Sequence, residues 1–206
     1  TTIGDKYSVT SVVGRGGFGV VYRGVHGGFG EPIAIKCLKL PGELGKVERD
    51  ELLTRLQEEG RVLHRLSKAS SSIVQALDVG AVTTERQQWV PYLVLEWLEG
   101  ETLAQHMAAR ISGGKGPFSI DEAIALLEPA ARALEVAHRQ RVAHRDVKPE
   151  NLYLTRVSGR RTLKVLDFGI AKVLSDHAQF TAAPAATQKA HGAFTPSYGA
   201  PEQFNK

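Results

Sequence analysis

Six residues, Gly14-Arg15-Gly16-Gly17-Phe18-Gly19, set four glycines between two runs rich in β-branched side chains. Residues 7–14 (Tyr-Ser-Val-Thr-Ser-Val-Val-Gly) read as a strand, and Val20 to Val25 as its hairpin partner. Glycines let a turn bring its backbone N–H groups close to an anion with no Cβ in the way. The same spacing opens dinucleotide-binding folds, but there the third glycine leads into a helix. Here Val20, Val21 and Tyr22 follow, which is strand. The chain therefore starts with an antiparallel hairpin whose turn suits phosphate groups. A glycine-rich hairpin that holds no ligand is the plain alternative.

Ile33-Ala34-Ile35-Lys36-Cys37-Leu38 reads as a third strand, with Lys36 in the middle of an apolar run. Alternation alone does not say which face Lys36 takes. Residues 44–66 read as an amphipathic helix: Leu52, Leu56, Leu63 and Leu66 fall on one stripe. Glu59 takes the missing position in that stripe, and a carboxylate there is costly unless paired. It either snorkels at the stripe's edge or pairs with Lys36. Residues 73–82 and 91–96 read as two more strands, joined by the polar loop Thr83 to Gln88. Glu96-Trp97-Leu98-Glu99-Gly100 then breaks the pattern and reads as a boundary between lobes. A helix follows from Thr102 to Arg110. Ser119-Ile120-Asp121-Glu122 is a capping box opening another helix. Ile120, Ile124, Leu127, Ala131, Leu134 and His138 form its expected core stripe, and Pro129 lies inside it.

The densest chemistry lies in His144-Arg145-Asp146-Val147-Lys148-Pro149-Glu150-Asn151, followed after two short strands by Asp167-Phe168-Gly169. Two carboxylates, a lysine and an amide in a turn-rich stretch suit holding metal-bound phosphate beside a hydroxyl that must lose its proton. The strands, Leu152-Tyr153-Leu154 and Leu163 to Leu166, flank a turn at Gly159-Arg160-Arg161. Residues 175–193 have no period and read as a loop.

Bulk properties narrow the classes. At 206 residues, 42% hydrophobic and 23% charged, the chain has room for one large domain or two small lobes. A net charge of +4 fits phosphate handling, and no basic block is interleaved with aromatics as nucleic-acid binding would favour. Cys37 is the single cysteine, so there is no disulfide framework and no Cys-based zinc site; a reducing cytoplasm fits. No run of about 18 apolar residues would span a membrane.

The order of these motifs resembles that of the eukaryotic-like (Hanks-type) serine/threonine protein kinases, and is similar to the bacterial members. The matching motifs are Gly14-x-Gly16-x-x-Gly19-x-Val21, Ile33-Ala34-Ile35-Lys36, Glu59, His144-Arg145-Asp146-x-Lys148-x-x-Asn151, Asp167-Phe168-Gly169 and Ala200-Pro201-Glu202. The resemblance implies an α+β, bilobal fold. Residues 1–98 would form an ATP-binding N-lobe with a five-stranded antiparallel sheet and one helix. Residues 99–206 would form a mainly helical, incomplete C-lobe carrying the catalytic loop. The chain would be a C-terminally truncated piece of a longer catalytic domain.

The resemblance also implies roles. Gly14, Arg15, Gly16, Gly17, Phe18 and Gly19 would cover the ATP phosphates. Lys36, oriented by Glu59, would hold the α- and β-phosphates. Val21, Ala34 and Tyr153 would sandwich adenine, with Tyr153 standing where the family usually has leucine. Glu96 and Leu98 would offer backbone groups to the adenine edge, with Leu95 as gatekeeper and Glu101 at the ribose. Asp167 and Asn151 would bind Mg²⁺, or Mn²⁺ in its place. Asp146 would accept the proton of the substrate hydroxyl and Lys148 would neutralise the moving phosphoryl group. Thr195 would pack beside Asp146 and Lys148.

The implied partners are ATP, a protein with a Ser or Thr acceptor, and a second copy for trans-autophosphorylation at Ser175, Thr181 or Thr187. No nucleic acid and no membrane contact is implied within the segment. The competing reading is a pseudokinase, a nucleotide-binding scaffold; against it, Lys36, Glu59, Asp146, Asn151 and Asp167 are all present.

Overall fold

The β-branched runs of the first hundred residues become strands of one antiparallel sheet. The computed structural model describes residues 2–16, 19–40, 44–157, 159–168 and 195–203. Two compact units emerge: one gathers the described residues up to His64 with Gln75–Trp97, the other Arg65–Val74 and the described residues from Leu98 onward.

In the first unit the strands are β1 (Thr2–Ile3), β2 (Tyr7–Gly16), β3 (Gly19–His26), β4 (Pro32–Leu38), β5 (Ala76–Thr83) and β6 (Trp89–Glu96), in the order β1-β2-β3-β4-β6-β5. The sheet thus has six strands where the sequence leads to five. The extra strand β1 folds back on β2 through Gly4 and Asp5, both with positive φ (55° and 54°), and Lys6 N–H donates to the Ile3 carbonyl at 3.3 Å. Register pairs Ile3 with Tyr7, so the hairpin loop is Gly4-Asp5-Lys6, and positive φ at Gly4 and Asp5 makes its tight turn. The Gly-Asp dipeptide was the signal for it.

Register sorts the side chains onto two faces. Ile33, Ile35, Tyr92 and Val94 join Ile3 and Tyr7 in one buried cluster. Lys36 lies directly opposite Val21 and Leu93, and Ala34 opposite Leu95, so these five share the other face. In a flat sheet, β2 and β5 would stand about 19 Å apart across three intervening strands. Yet the Tyr7 hydroxyl donates to Asp78 Oδ2 at 2.5 Å, with Lys6 Nζ at 3.4 Å from the same oxygen. The sheet is therefore curled over its own core, and this bond ties its ends together. Burial pushes the Asp78 carboxyl up, but the donors from Tyr7, Val79 N–H and Lys6 prevail and hold it below the usual range.

Helix α1 (Lys46–Ala69) buries its leucine stripe: Leu52, Leu56, Leu63 and Leu66 are each no more than 2% exposed. His64 Nδ1–H donates to the Ala76 carbonyl at 2.9 Å, fixing the helix to the start of β5.

The second unit holds β7 (Gly100–Thr102), α2 (Leu103–Ser112), α3 (Ile120–Arg139), β8 (Leu152–Val157) and β9 (Arg160–Val165). The three strands form their own antiparallel sheet, β7-β8-β9, and α3 packs on β9. Both helices start with a capping box: Ser119 with Glu122, as its sequence predicts, and Thr102 with Gln105. No helix among the described residues is long and apolar enough to cross a membrane.

Helix α3 corrects one expectation. Its buried residues are Ala130, Ala133 and Ala137, while Ile120 is 78% exposed, Ile124 61% and Leu127 42%, and His138 is exposed too. The alanine face is the one that lies against β9, and the Ile and Leu face is left uncovered among the described residues.

Tyr7→Phe should cost about 1–2 kcal/mol, the loss of one hydrogen bond to a charged acceptor. The expected readout is a lower urea midpoint with an unchanged slope. An unchanged midpoint would show that the bond does not hold the curled sheet.

Candidate active site

The second unit draws the 144–151 stretch into a closed hydrogen-bonded set. Asp146 is 7% exposed, and four donors converge on its two oxygens. Oδ1 accepts from Thr195 N–H at 3.0 Å and from Thr195 Oγ1 at 2.8 Å. Oδ2 accepts from Lys148 Nζ at 2.8 Å and from Asn151 Nδ2 at 3.0 Å. Lys148 Nζ also donates to Thr195 Oγ1 at 2.6 Å, so the threonine hydroxyl lies between the lysine and the carboxylate. Burial pushes the Asp146 carboxyl up; the Lys148 and Thr195 donors outweigh it and hold the group below the usual carboxylate range. Asp146 is a carboxylate at neutral pH.

Local structure explains how Asn151 gets there. Pro149 starts a one-turn 3-10 helix, Pro149–Asn151, with the proline at the position where its missing N–H costs nothing. That turn brings Asn151 Nδ2 back onto Asp146, on the backbone carbonyl (2.8 Å) as well as the carboxylate. The Asn151 carbonyl in turn accepts from Leu166 N–H at 2.8 Å, which sets the exit of β9 beside the loop. Asp167 follows directly, with φ 59°.

His144, 3% exposed, locks the loop from its other end. A carbonyl can only accept and an amide N–H can only donate, so its two contacts fix its tautomer. Nε2–H donates to the Leu166 carbonyl at 2.6 Å, and Nδ1 accepts from Asp146 N–H at 3.3 Å. The ring meets Phe168 edge-on, with centroids 4.6 Å apart. Burial holds the imidazole below its ordinary value despite the pull of Leu166, Asp167 and Asp146. Sequence reasoning assigned His144 no such role; its only signal was the neighbourhood of Asp146.

In the first unit, Lys36 is 7% exposed and shares its sheet face with Val21, Ala34 and Leu95. Gly19 is required by the fold itself: its φ is +148° and a Cβ would stand 2.0 Å from the Cys37 carbonyl oxygen. Around Gly14 and Gly16, by contrast, a Cβ would meet nothing within 4 Å, so packing in the chain does not demand glycine there. Arg15 pairs with Val20 beside them. Glu59 is half-buried on α1. Glu96 is pinned to Gln75 twice, its Oε1 accepting from Gln75 N–H at 2.8 Å and its N–H donating to the Gln75 carbonyl at 3.0 Å. Back in the second unit, the Tyr153 hydroxyl donates to the carbonyls of Gly100 (2.9 Å) and Leu98 (3.4 Å). The Glu101 carboxylate lies 2.9 Å from His106 Nδ1. Gly17, Phe18, Gly169, Ser175, Thr181 and Thr187 lie outside the described residues.

The protein kinase domain model matches residues 7–206. The chain belongs to the protein kinase family. Among curated kinases it is 32% identical to the probable serine/threonine-protein kinase PknB of Corynebacterium glutamicum, over 98% of this chain and 28% of that protein. It is 33% identical to the serine/threonine-protein kinase Pkn1 of Myxococcus xanthus, over 93% of this chain and 24% of that one. The chain thus spans about a quarter of the length of these relatives. The crystal structure of the Mycobacterium tuberculosis PknI kinase domain superposes with a TM-score of 0.63 at 30% identity, covering 83% of this chain and 62% of that one. The kinase fold is thereby shown.

Because the folded value of His144 is depressed, the folded state binds fewer protons than the unfolded one below the ordinary histidine value of about 6.5. Its stabilising contribution is full above that pH and is lost as pH falls toward the folded value. The stability gap between the wild type and His144→Gln should therefore shrink between about pH 7 and pH 5 in urea titrations. A gap that does not change with pH would show that His144 is not held neutral.

Proposed function

We propose that this chain is the catalytic part of a serine/threonine protein kinase, transferring the γ-phosphoryl group of ATP to Ser and Thr hydroxyls of proteins and of a second copy of itself. The observation that carries the reading is the Asp146 carboxylate, kept ionised and fixed by Lys148, Asn151 and Thr195. Its membership of the kinase family, with relatives named serine/threonine-protein kinases, supports it.

Each unit has its work. Residues 1–98, as N-lobe, hold ATP. The open space at Gly14 and Gly16 gives phosphate oxygens room to approach the backbone of the glycine hairpin. Lys36, oriented by Glu59, draws the α- and β-phosphates. Val21 and Ala34, on the same face as Lys36, line the adenine side of the N-lobe, with the Glu96 backbone at its edge. Residues 99–206, as C-lobe, hold the acceptor. The acceptor hydroxyl donates to Asp146, which aims its oxygen at the γ-phosphorus. The new O–P bond forms as the bond to the bridging β,γ-oxygen breaks, and ADP leaves with that electron pair. The proton passes to Asp146. A carboxylate this weakly basic suits a loose transition state in which the hydroxyl gives up its proton late. Lys148 offsets the charge on the moving group.

The residues present also fit a divalent cation. Asn151 commits its amide nitrogen to Asp146 and keeps its amide oxygen as an acceptor, and Asp167 adds a carboxylate. Two oxygen donors suit Mg²⁺ or Mn²⁺, which share phosphate oxygens and keep waters instead of needing a full protein cage. Among the described residues no cluster of three or more His, Cys, Asp or Glu side chains could hold an ion by itself. Bound there, the ion would neutralise phosphate charge. ATP as donor sets the reaction in the cytoplasm, where Cys37, pushed up to about 11 by burial, stays a thiol.

The test is transfer of labelled γ-phosphate from Mg-ATP to the chain and to a generic basic protein. Asp146→Asn should lower it by at least about 100-fold, the scale of a lost positioned base, and Lys36→Met should lower it too. The label should sit on Ser and Thr. Transfer that survives Asp146→Asn, or label on Tyr alone, overturns the reading; nucleotide binding without transfer in the full chain would make it a scaffold.

A further inference from the structure

The peptide bond between Arg145 and Asp146 is held at both of its polar ends. Its N–H, from Asp146, donates to His144 Nδ1 at 3.3 Å. Its carbonyl, from Arg145, accepts from the side-chain amide of Gln203 at 2.8 Å. Arg145 itself has φ 69°, a left-handed conformation that a residue with a long side chain adopts only when its surroundings impose it. The orientation of this one peptide plane sets the direction of the Asp146 Cα–Cβ bond, and so where the carboxylate points.

Gln203 is well placed to act as more than a surface side chain. It ends the 3-10 turn Pro201–Gln203, and its Oε1 accepts from Ala200 N–H at 2.9 Å, which fixes the amide so that its NH₂ faces Arg145. The segment 195–203 therefore grips Asp146 twice. Its first residue, Thr195, holds the carboxylate, and its last holds the backbone. We propose that Gln203 is a positioning residue for Asp146: its amide clamps the strained Arg145–Asp146 peptide and makes the aim of the proton acceptor depend on whether residues 195–203 are docked. The inference rests on the kinase reading above.

Gln203→Glu separates the two bonds, since a carboxylate still accepts from Ala200 N–H but no longer donates to the Arg145 carbonyl. In the full chain, kcat should fall roughly 10- to 100-fold, the scale for a reacting group displaced by up to an ångström. KM for Mg-ATP and the thermal midpoint should stay as in the wild type, because the loss lies only in the transition state. Independently of turnover, the Asp146 backbone amide should shift in ¹H–¹⁵N spectra and exchange faster with solvent. Unchanged kcat with an unchanged Asp146 amide overturns the inference. So does a fall in kcat that comes with a matching fall in thermal midpoint and no change at that amide, which would make Gln203 only a cap of its turn. Asp146→Asn run alongside separates the two failures: transfer that survives it sinks the kinase reading, whereas transfer lost in Asp146→Asn and kept in Gln203→Glu sinks only the role of Gln203.

Discussion

A buried carboxylate is the constraint around which the second unit is built. Taking an ion out of water costs several kcal/mol even after relaxation, and Asp146 is nearly enclosed. The cost is offset only if every oxygen finds donors, and here it does. Those four donors come from three separate places: the loop itself (Lys148), the proline-led turn (Asn151), and both the backbone and the side chain of a residue far along the chain (Thr195). Each must be brought in by its own local structure. Removing any one leaves a buried charge short of a partner.

The same logic runs outward. His144 can accept from Asp146 N–H only while neutral, and stays neutral because it is buried and its other nitrogen is committed to Leu166. Leu166 is placed by β9, and its N–H by the carbonyl of Asn151. A chain of single hydrogen bonds thus links strand exit, histidine and aspartate. Such networks have few alternative arrangements, which suits a group whose aim matters to within an ångström. In the first unit the tie is different in kind. A hydroxyl–carboxylate bond between Tyr7 and Asp78 holds the curl of a sheet, and the opposite face of that sheet carries Lys36 with Val21 and Ala34.

Much of this was legible in order and type. The leucine stripe of α1 lies where its period puts it, because Leu52 through Leu66 leave no other face to bury. The hairpin around the glycines follows from strand residues on both sides. The capping box at Ser119 worked because it needs only residues three apart. Long-range choices were not legible. Helix α3 lays its alanines inward and leaves Ile120 and Ile124 uncovered among the described residues, a choice of face that periodicity alone does not make. Strand β7 and the pairing of β1 gave no more than three residues of pattern each.

By itself, then, the sequence determined the identity and order of the chemical groups: glycine turn, strand lysine, helical glutamate, and a loop with aspartate, lysine and asparagine. These are local patterns, and local backbone preferences are enough to express them. What only the tertiary structure decided is which groups touch. The family resemblance already implied that Thr195 packs beside Asp146; that Gln203 clamps Arg145 depends on the proline-led turn Pro201–Gln203 laid against a loop 58 residues earlier in the chain. No spacing rule reaches that far, because the bond is set by where the backbone returns and not by what it is made of.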